Sequence, residues 1–128
     1  MNIEIIPCLN DNYSYLIKDE QTDIVAIIDP SEFTPCDEKI NSKFKKLDYI
    51  LNTHHHFDHV GGNTELKKKY GSKILGFEKD EKRIPEIDIL LKDGQEFNIG
   101  NLNFKTIFIP GHTSGHIAFY FEKEKVVF

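Results

Sequence analysis

No stretch of this 128-residue chain approaches the ~20 consecutive apolar residues that a membrane-spanning helix requires. The N-terminus, MNIEIIPCLNDN, has neither a basic start nor a long apolar core, so it does not read as a signal peptide. Cysteine is scarce. Cys8 and Cys36 are the only two and form no Cys-x-x-Cys pair, which argues against a disulfide framework and predicts two reduced thiols in a cytoplasmic protein. Positive charge is in deficit, with 16 Lys and Arg against 21 Asp and Glu, a net of −5. Such a chain has no electrostatic reason to seek nucleic acid or an anionic membrane. Its one basic run, Lys67-Lys68-Lys69, reads as the solvated side of a helix. Repeats, low-complexity tracts and linkers are missing too. At 39% apolar residues, the chain is sized for one domain with a buried core.

What is present is a series of short β-like runs. IEIIP and YSYLIK read as two strands joined by the turn CLNDN. DIVAIID, nearly all apolar and rich in β-branched residues, reads as a buried strand that stops at Asp29-Pro30. CDEKINSKF predicts a short helix. LDYILN predicts a strand running directly into a histidine cluster. NTELKKKYG predicts a helix capped by Asn63 or Thr64 and ended by Gly71. SKILGF is a strand, 84–93 a loop, and EFNI, LNFKTIFI, HIAFYFE and KVVF are further strands. The class is α/β, with histidine-bearing loops at strand ends, where a sheet can position active groups.

All six histidines fall in two windows, 54–59 and 112–116. Histidines serving as scattered structural residues would not cluster so, and metal binding is the reading that accounts for them. In extended backbone, residues two apart point the same way, so His54 and His56 can meet one ion. Asp58 and His59 are adjacent and point apart unless the chain turns, which Gly61-Gly62 permits. This favours two ions, His54 and His56 on the first and Asp58 and His59 on the second, with His112 of PGHTSGH as the third ligand of the first. Imidazoles with a carboxylate suit zinc, iron or manganese, and spacing does not choose among them. His55 is out of phase with its neighbours and is left off the metal. His116 is expected to hold a loop or orient a ligand. Asp29 reads either as a carboxylate behind the ligands or as a turn cap before Pro30.

The pattern His-x-His-x-Asp-His, here His54, His56, Asp58 and His59, resembles the signature of the metallo-β-lactamase superfamily. PCLNDNYSYLI, IIDPSE, ILNTHHHFDHVGGN and IPGHTSGHIAFYF narrow the likeness to the hydroxyacylglutathione hydrolase, or glyoxalase II, family. The likeness covers the whole chain but only the N-terminal part of the family, so 1–128 is expected to be a partial domain of that type. It implies an αβ/βα sandwich with His54, His56 and His112 on a first metal and Asp58 and His59 on a second. It also implies hydrolysis of S-(2-hydroxyacyl)glutathione thioesters, the step that completes methylglyoxal detoxification. Zinc is the expected ion, with iron or manganese as alternatives, and a complete family site holds up to two.

In the family that this chain resembles, the strand matching KVVF leads into a Thr-Gly-Asp-like segment whose Asp bridges the metals. A later His and C-terminal helices that grip glutathione come after it. The sequence stops at Phe128, before these. The expectations are therefore about one ion per chain, slow or no turnover alone, and one sheet whose apolar face lacks its partner sheet and invites self-association. Two further readings stand beside the hydrolase. One is a non-catalytic remnant with a weak single-metal site. The other is a different enzyme of this superfamily, such as a persulfide dioxygenase with one iron.

Overall fold

A computed structural model describes residues 1–128. It contains ten strands: β1 (Asn2–Cys8), β2 (Asn12–Lys18), β3 (Val25–Ile28), β4 (Tyr49–Leu51), β5 (Lys73–Phe77), β6 (Ile89–Leu91), β7 (Glu96–Ile99), β8 (Leu102–Phe108), β9 (Ile117–Phe121) and β10 (Val126–Val127). The helices are α1 (Phe33–Lys43), α2 (Phe57–Val60) and α3 (Asn63–Tyr70), and a 3-10 turn spans Glu78–Asp80. No helix is long and apolar enough to cross a membrane.

Two sheets form, not one. The first runs β1-β2-β3-β4-β5-β6, antiparallel through β3 and parallel from β3 to β6. The second runs β10-β9-β8-β7 and is antiparallel throughout. They pack face to face, because Ile17, Ala26, Ile28, Leu51 and Leu75 of the first sheet share one core with Phe104, Ile117, Phe119 and Phe121 of the second. The expectation of a bare inner face on the first sheet is therefore wrong. The strands that predicted it, DIVAIID, LDYILN and LNFKTIFI, lie on the two sides of that core. A continuous apolar run makes sense in β3 because both its faces are covered. Ala26 and Ile28 face the second sheet, while Val25 and Ile27 join Cys36, Ile40 and Leu66 in a second core under α1 and α3. β10 does end the second sheet as an edge, as KVVF suggests.

Other departures are local. α1 starts three residues before CDEKINSKF, because Pro35 falls in the first turn, whose N–H groups need no partner in the helix. Neither Asn63 nor Thr64 caps α3. The Asn63 side chain is spent on Asn52, with which it exchanges hydrogen bonds of 2.7 and 3.3 Å. Gly71 does end α3, at φ 70° with its N–H on the Lys67 carbonyl. Within the predicted loop 84–93, Ile89–Leu91 forms β6 against β5. Three residues are too few to show a strand period.

Candidate metal centre

Because β3 and β4 are parallel, their C-terminal ends lie at the same edge of the first sheet, delivering Asp29 and residues 52–59 side by side. The loop after β8 brings 109–116 to the same edge, where the Ile117 N–H donates to the Thr53 carbonyl at 2.9 Å. The β1–β2 hairpin supplies Asn12 from the far side of the cleft. The chain turns sooner than Gly61-Gly62. Phe57–Val60 is already helical, which takes Asp58 and His59 out of the extended path of His54 and His56.

The ligating atoms of His54, His56 and His112 lie within 4.8 Å of one another. His54 is buried, His56 half-buried and His112 exposed, so the trio opens to solvent on one side. The tautomer of His54 follows from its support. The Asp29 carboxylate can only accept, and it takes the Thr53 hydroxyl proton at 2.6 Å and the Thr53 N–H at 2.7 Å. Having spent its one proton, the Thr53 hydroxyl must accept from His54 Nδ1–H, 2.8 Å away. That leaves the lone pair on His54 Nε2, a buried atom with no partner in the protein. Burial first, and then the neighbouring His59, His116, His56 and His112, push the His54 pKa down to about 3. A neutral imidazole with an unpartnered, inward-facing lone pair is what a cation requires. The donor set therefore fits a metal.

Asp58 and His59 stand together beside this trio, with His59 Nε2 3.5 Å from Asp58 Oδ2. Asn12 Nδ2 donates to that carboxylate oxygen at 2.9 Å. Burial raises the Asp58 pKa, but the Asn12 bond and the His59 charge outweigh it, and the net shift is downward. For His59, burial acts downward, but the Asp29 hydrogen bond and the charges of Asp29 and Asp58 prevail, and its pKa rises. Asp29, His54 and His59 also lie within ligand distance of one another. Asp29, however, is already committed to Thr53 and to His59 Nδ1 at 3.0 Å, which places its carboxylate behind the histidines as their hydrogen-bond support. Of the two roles left open for Asp29 by the sequence, the structure supports the carboxylate behind the ligands.

His55 points away from the trio, with Nδ1 3.5 Å from Asp80. The His116 ring packs 4.6 Å from that of His54, and its carbonyl accepts from the Ile109 N–H, holding the loop. Burial, reinforced by His112, His59 and His56, lowers its pKa against the pull of Asp29. Asn12, Thr53, Asp80 and Arg83 are not legible in the sequence as site residues. Thr53 adjoins the cluster, and Asp80 pairs locally with Arg83, but the partners that tie Asn12, Asp80 and Arg83 to the site, Asp58, His55 and Ser114, are distant along the chain. An open cleft of about 430 Å³ leads to the centre, lined by Asn12, Tyr13, Tyr15, Asp58, His59 and His112.

A family model described as the metallo-beta-lactamase superfamily matches residues 9–128. Over all 128 residues the chain is 55% identical to a hydroxyacylglutathione hydrolase of Pelagibacter ubique, covering 54% of that protein. It is 46% identical to a hydroxyacylglutathione hydrolase of Methylococcus capsulatus over 96% of this chain and 48% of that one. The chain thus spans about half the length of the curated relatives it matches. Among solved structures, the B3 metallo-beta-lactamase BLEG-1 superposes with a TM-score of 0.83 at 22% identity, over 98% of this chain and 70% of that one. ETHE1 from Myxococcus xanthus superposes with a TM-score of 0.77 at 25% identity, over 93% and 53%.

Proposed function

Since the chain belongs to the metallo-beta-lactamase superfamily, whose members bind metal, we propose that it carries the metal-binding part of a glyoxalase II-type thioester hydrolase. The substrate class would be S-(2-hydroxyacyl)glutathione, the products glutathione and a 2-hydroxy acid, and the setting methylglyoxal detoxification in the cytoplasm. The relatives named hydroxyacylglutathione hydrolase support the substrate. The observation that carries the centre is the convergence of His54, His56 and His112 around a buried, unpartnered Nε2.

In this reading His54, His56 and His112 hold one ion, and Asp58 and His59 contribute to a second. Zinc suits the imidazole-rich set, with iron or manganese as alternatives. An ion held by these residues would supply Lewis acidity toward a thioester carbonyl and toward a water near neutral pH. The protein's part is positioning. Asp29 and Thr53 fix the His54 tautomer, and Asp29 turns His59 so that Nε2 meets Asp58. Asn12 holds the Asp58 carboxylate and leaves its other oxygen free. Burial, with the neighbouring imidazoles, holds the His54 pKa at about 3, so its ring is neutral near neutral pH. The cleft beside Tyr13 and Tyr15 gives the acyl end of the thioester a route to the ligands.

Metal analysis of the purified chain, together with thiol release from S-D-lactoylglutathione, tests this. The expectation is about one ion per chain and a slow, chelator-sensitive release of glutathione that His54→Ala abolishes. Release that survives both chelation and His54→Ala would refute the hydrolase reading. A second reading, one ion bound without turnover, is favoured by the unequal ligand groups, three residues against two. It predicts bound metal with no thiol release.

A further inference from the structure

Asp80 lies on the 3-10 turn after β5, outside both histidine windows, and its side chain is fully buried. A buried carboxylate is costly unless it is paired. Its side-chain polar partners are His55, in the first histidine loop, and Arg83, three residues further along its own segment. One oxygen, Oδ2, faces His55 Nδ1 at 3.5 Å, and both atoms are buried with no other partner. The other, Oδ1, accepts from Arg83 Nη2, and the same nitrogen donates to Ser114 Oγ at 3.0 Å. Gly115 lies flat against the carboxylate, where a Cβ would collide with both of its oxygens. Asp80 thus touches the residue between His54 and His56 on one side. On the other it reaches the segment two to three residues beyond His112.

We propose that Asp80 is a positioning residue that sets the distance between the His54/His56 loop and the His112 loop through His55, Arg83, Ser114 and Gly115. The inference rests on the metal reading of the histidine trio. Apart from this relay, the hydrogen bond that joins the loops is the Ile117-to-Thr53 backbone bond, which fixes strand register and not the reach of His112; the histidine rings otherwise meet by packing alone. His112 is the exposed member of the trio. Its placement is the one most dependent on a support from outside. Asp80 supplies that support without itself approaching the ion.

The test is a cobalt(II) titration of the full 128-residue chain, followed by its visible d–d absorption, with zinc competition and apo-protein thermal unfolding alongside. Asp80→Asn keeps the side-chain volume but replaces an acceptor with a donor. Its expected effect is an affinity loss of roughly 10–100-fold, with an altered d–d band because His112 no longer completes the trio at its native distance. Arg83→Lys, at an exposed position, keeps the charge but loses the fork that reaches Ser114. It should weaken binding in the same direction and fold like the parent. If Asp80→Asn fails to fold, the Arg83→Lys titration decides. Native cobalt affinity and spectrum in a folded Asp80→Asn, or in Arg83→Lys when the first is unfolded, would overturn the proposal while leaving the metal site intact. A parent chain that binds no cobalt or zinc would instead bring down the metal reading, and this inference with it.

Discussion

Replacing Asp29 with asparagine should separate the support of the site from its ligands. The carboxylate serves three donors, the Thr53 N–H at 2.7 Å, the Thr53 hydroxyl at 2.6 Å and His59 Nδ1 at 3.0 Å. An amide offers one oxygen and one NH2. If the oxygen stays on the Thr53 N–H, the NH2 meets the Thr53 hydroxyl and His59 Nδ1–H, donor against donor. The hydroxyl can turn to accept, but it then donates to His54 Nδ1, which shifts the His54 proton to Nε2 and blocks the ligating lone pair. The variant should therefore lose about 10–100-fold in zinc affinity, equivalent to about 1.4–2.8 kcal/mol. A buried donor left without a partner costs about 1–3 kcal/mol in stability, so the apo-protein Tm should fall by roughly 5–10 °C. Chelator-competition titration gives the first quantity and scanning calorimetry of metal-free protein the second. Wild-type zinc affinity in Asp29→Asn, with a lowered Tm, would refute the tautomer argument and leave Asp29 a turn residue.

The packing carries three further expected outcomes. Phe104 and Phe119 are fully buried, with rings 5.1 Å apart. Phe119→Ala should cost about 3–5 kcal/mol by urea unfolding, and a cost below ~1 kcal/mol would mean that the sheets do not share this core. For Asp88, burial acts upward on the pKa, but the Ile74 N–H and the Lys67 ammonium outweigh it and hold the carboxyl low. This contribution is complete above the ordinary carboxylate pKa near 4 and is lost as pH falls through the depressed folded value. Asp88→Asn should flatten the acid limb of the urea midpoint against pH, and an unchanged limb would exclude the pairing. Cys36 lies 3.9 Å from Cys8, and burial, then Cys8, push its thiol up to about 12. The native chain should resist Ellman's reagent until it is unfolded, whereas rapid labelling at neutral pH would show the helix-side core to be open.

The candidate ligand set is legible in the sequence because metal binding would demand particular side chains at short spacing, and His54, His56, Asp58, His59 and His112 all lie in two brief windows. Strand β3 is legible because a four-residue run with every side chain buried has to be apolar throughout. The αL end of α3 shows itself through Gly71. Partnership across distance is what the sequence does not determine. Alternation in LNFKTIFI shows that one face is buried, but not that the cover is the first sheet, so the sequence reading counts one sheet too few. Asn12 meets Asp58 across 46 residues and Asp29 meets Thr53 across 24. Asp80 reaches His55 and, through Arg83, Ser114. A hydrogen-bonding side chain leaves no periodic trace in its own neighbourhood, and its partner is chosen by which strand ends the fold brings to one edge. The sequence by itself determined which atoms could bind a metal. Tertiary structure alone decided which of those atoms are neutral, oriented and close enough together, because burial, tautomer and separation belong to the packed sheets and not to any segment of the chain.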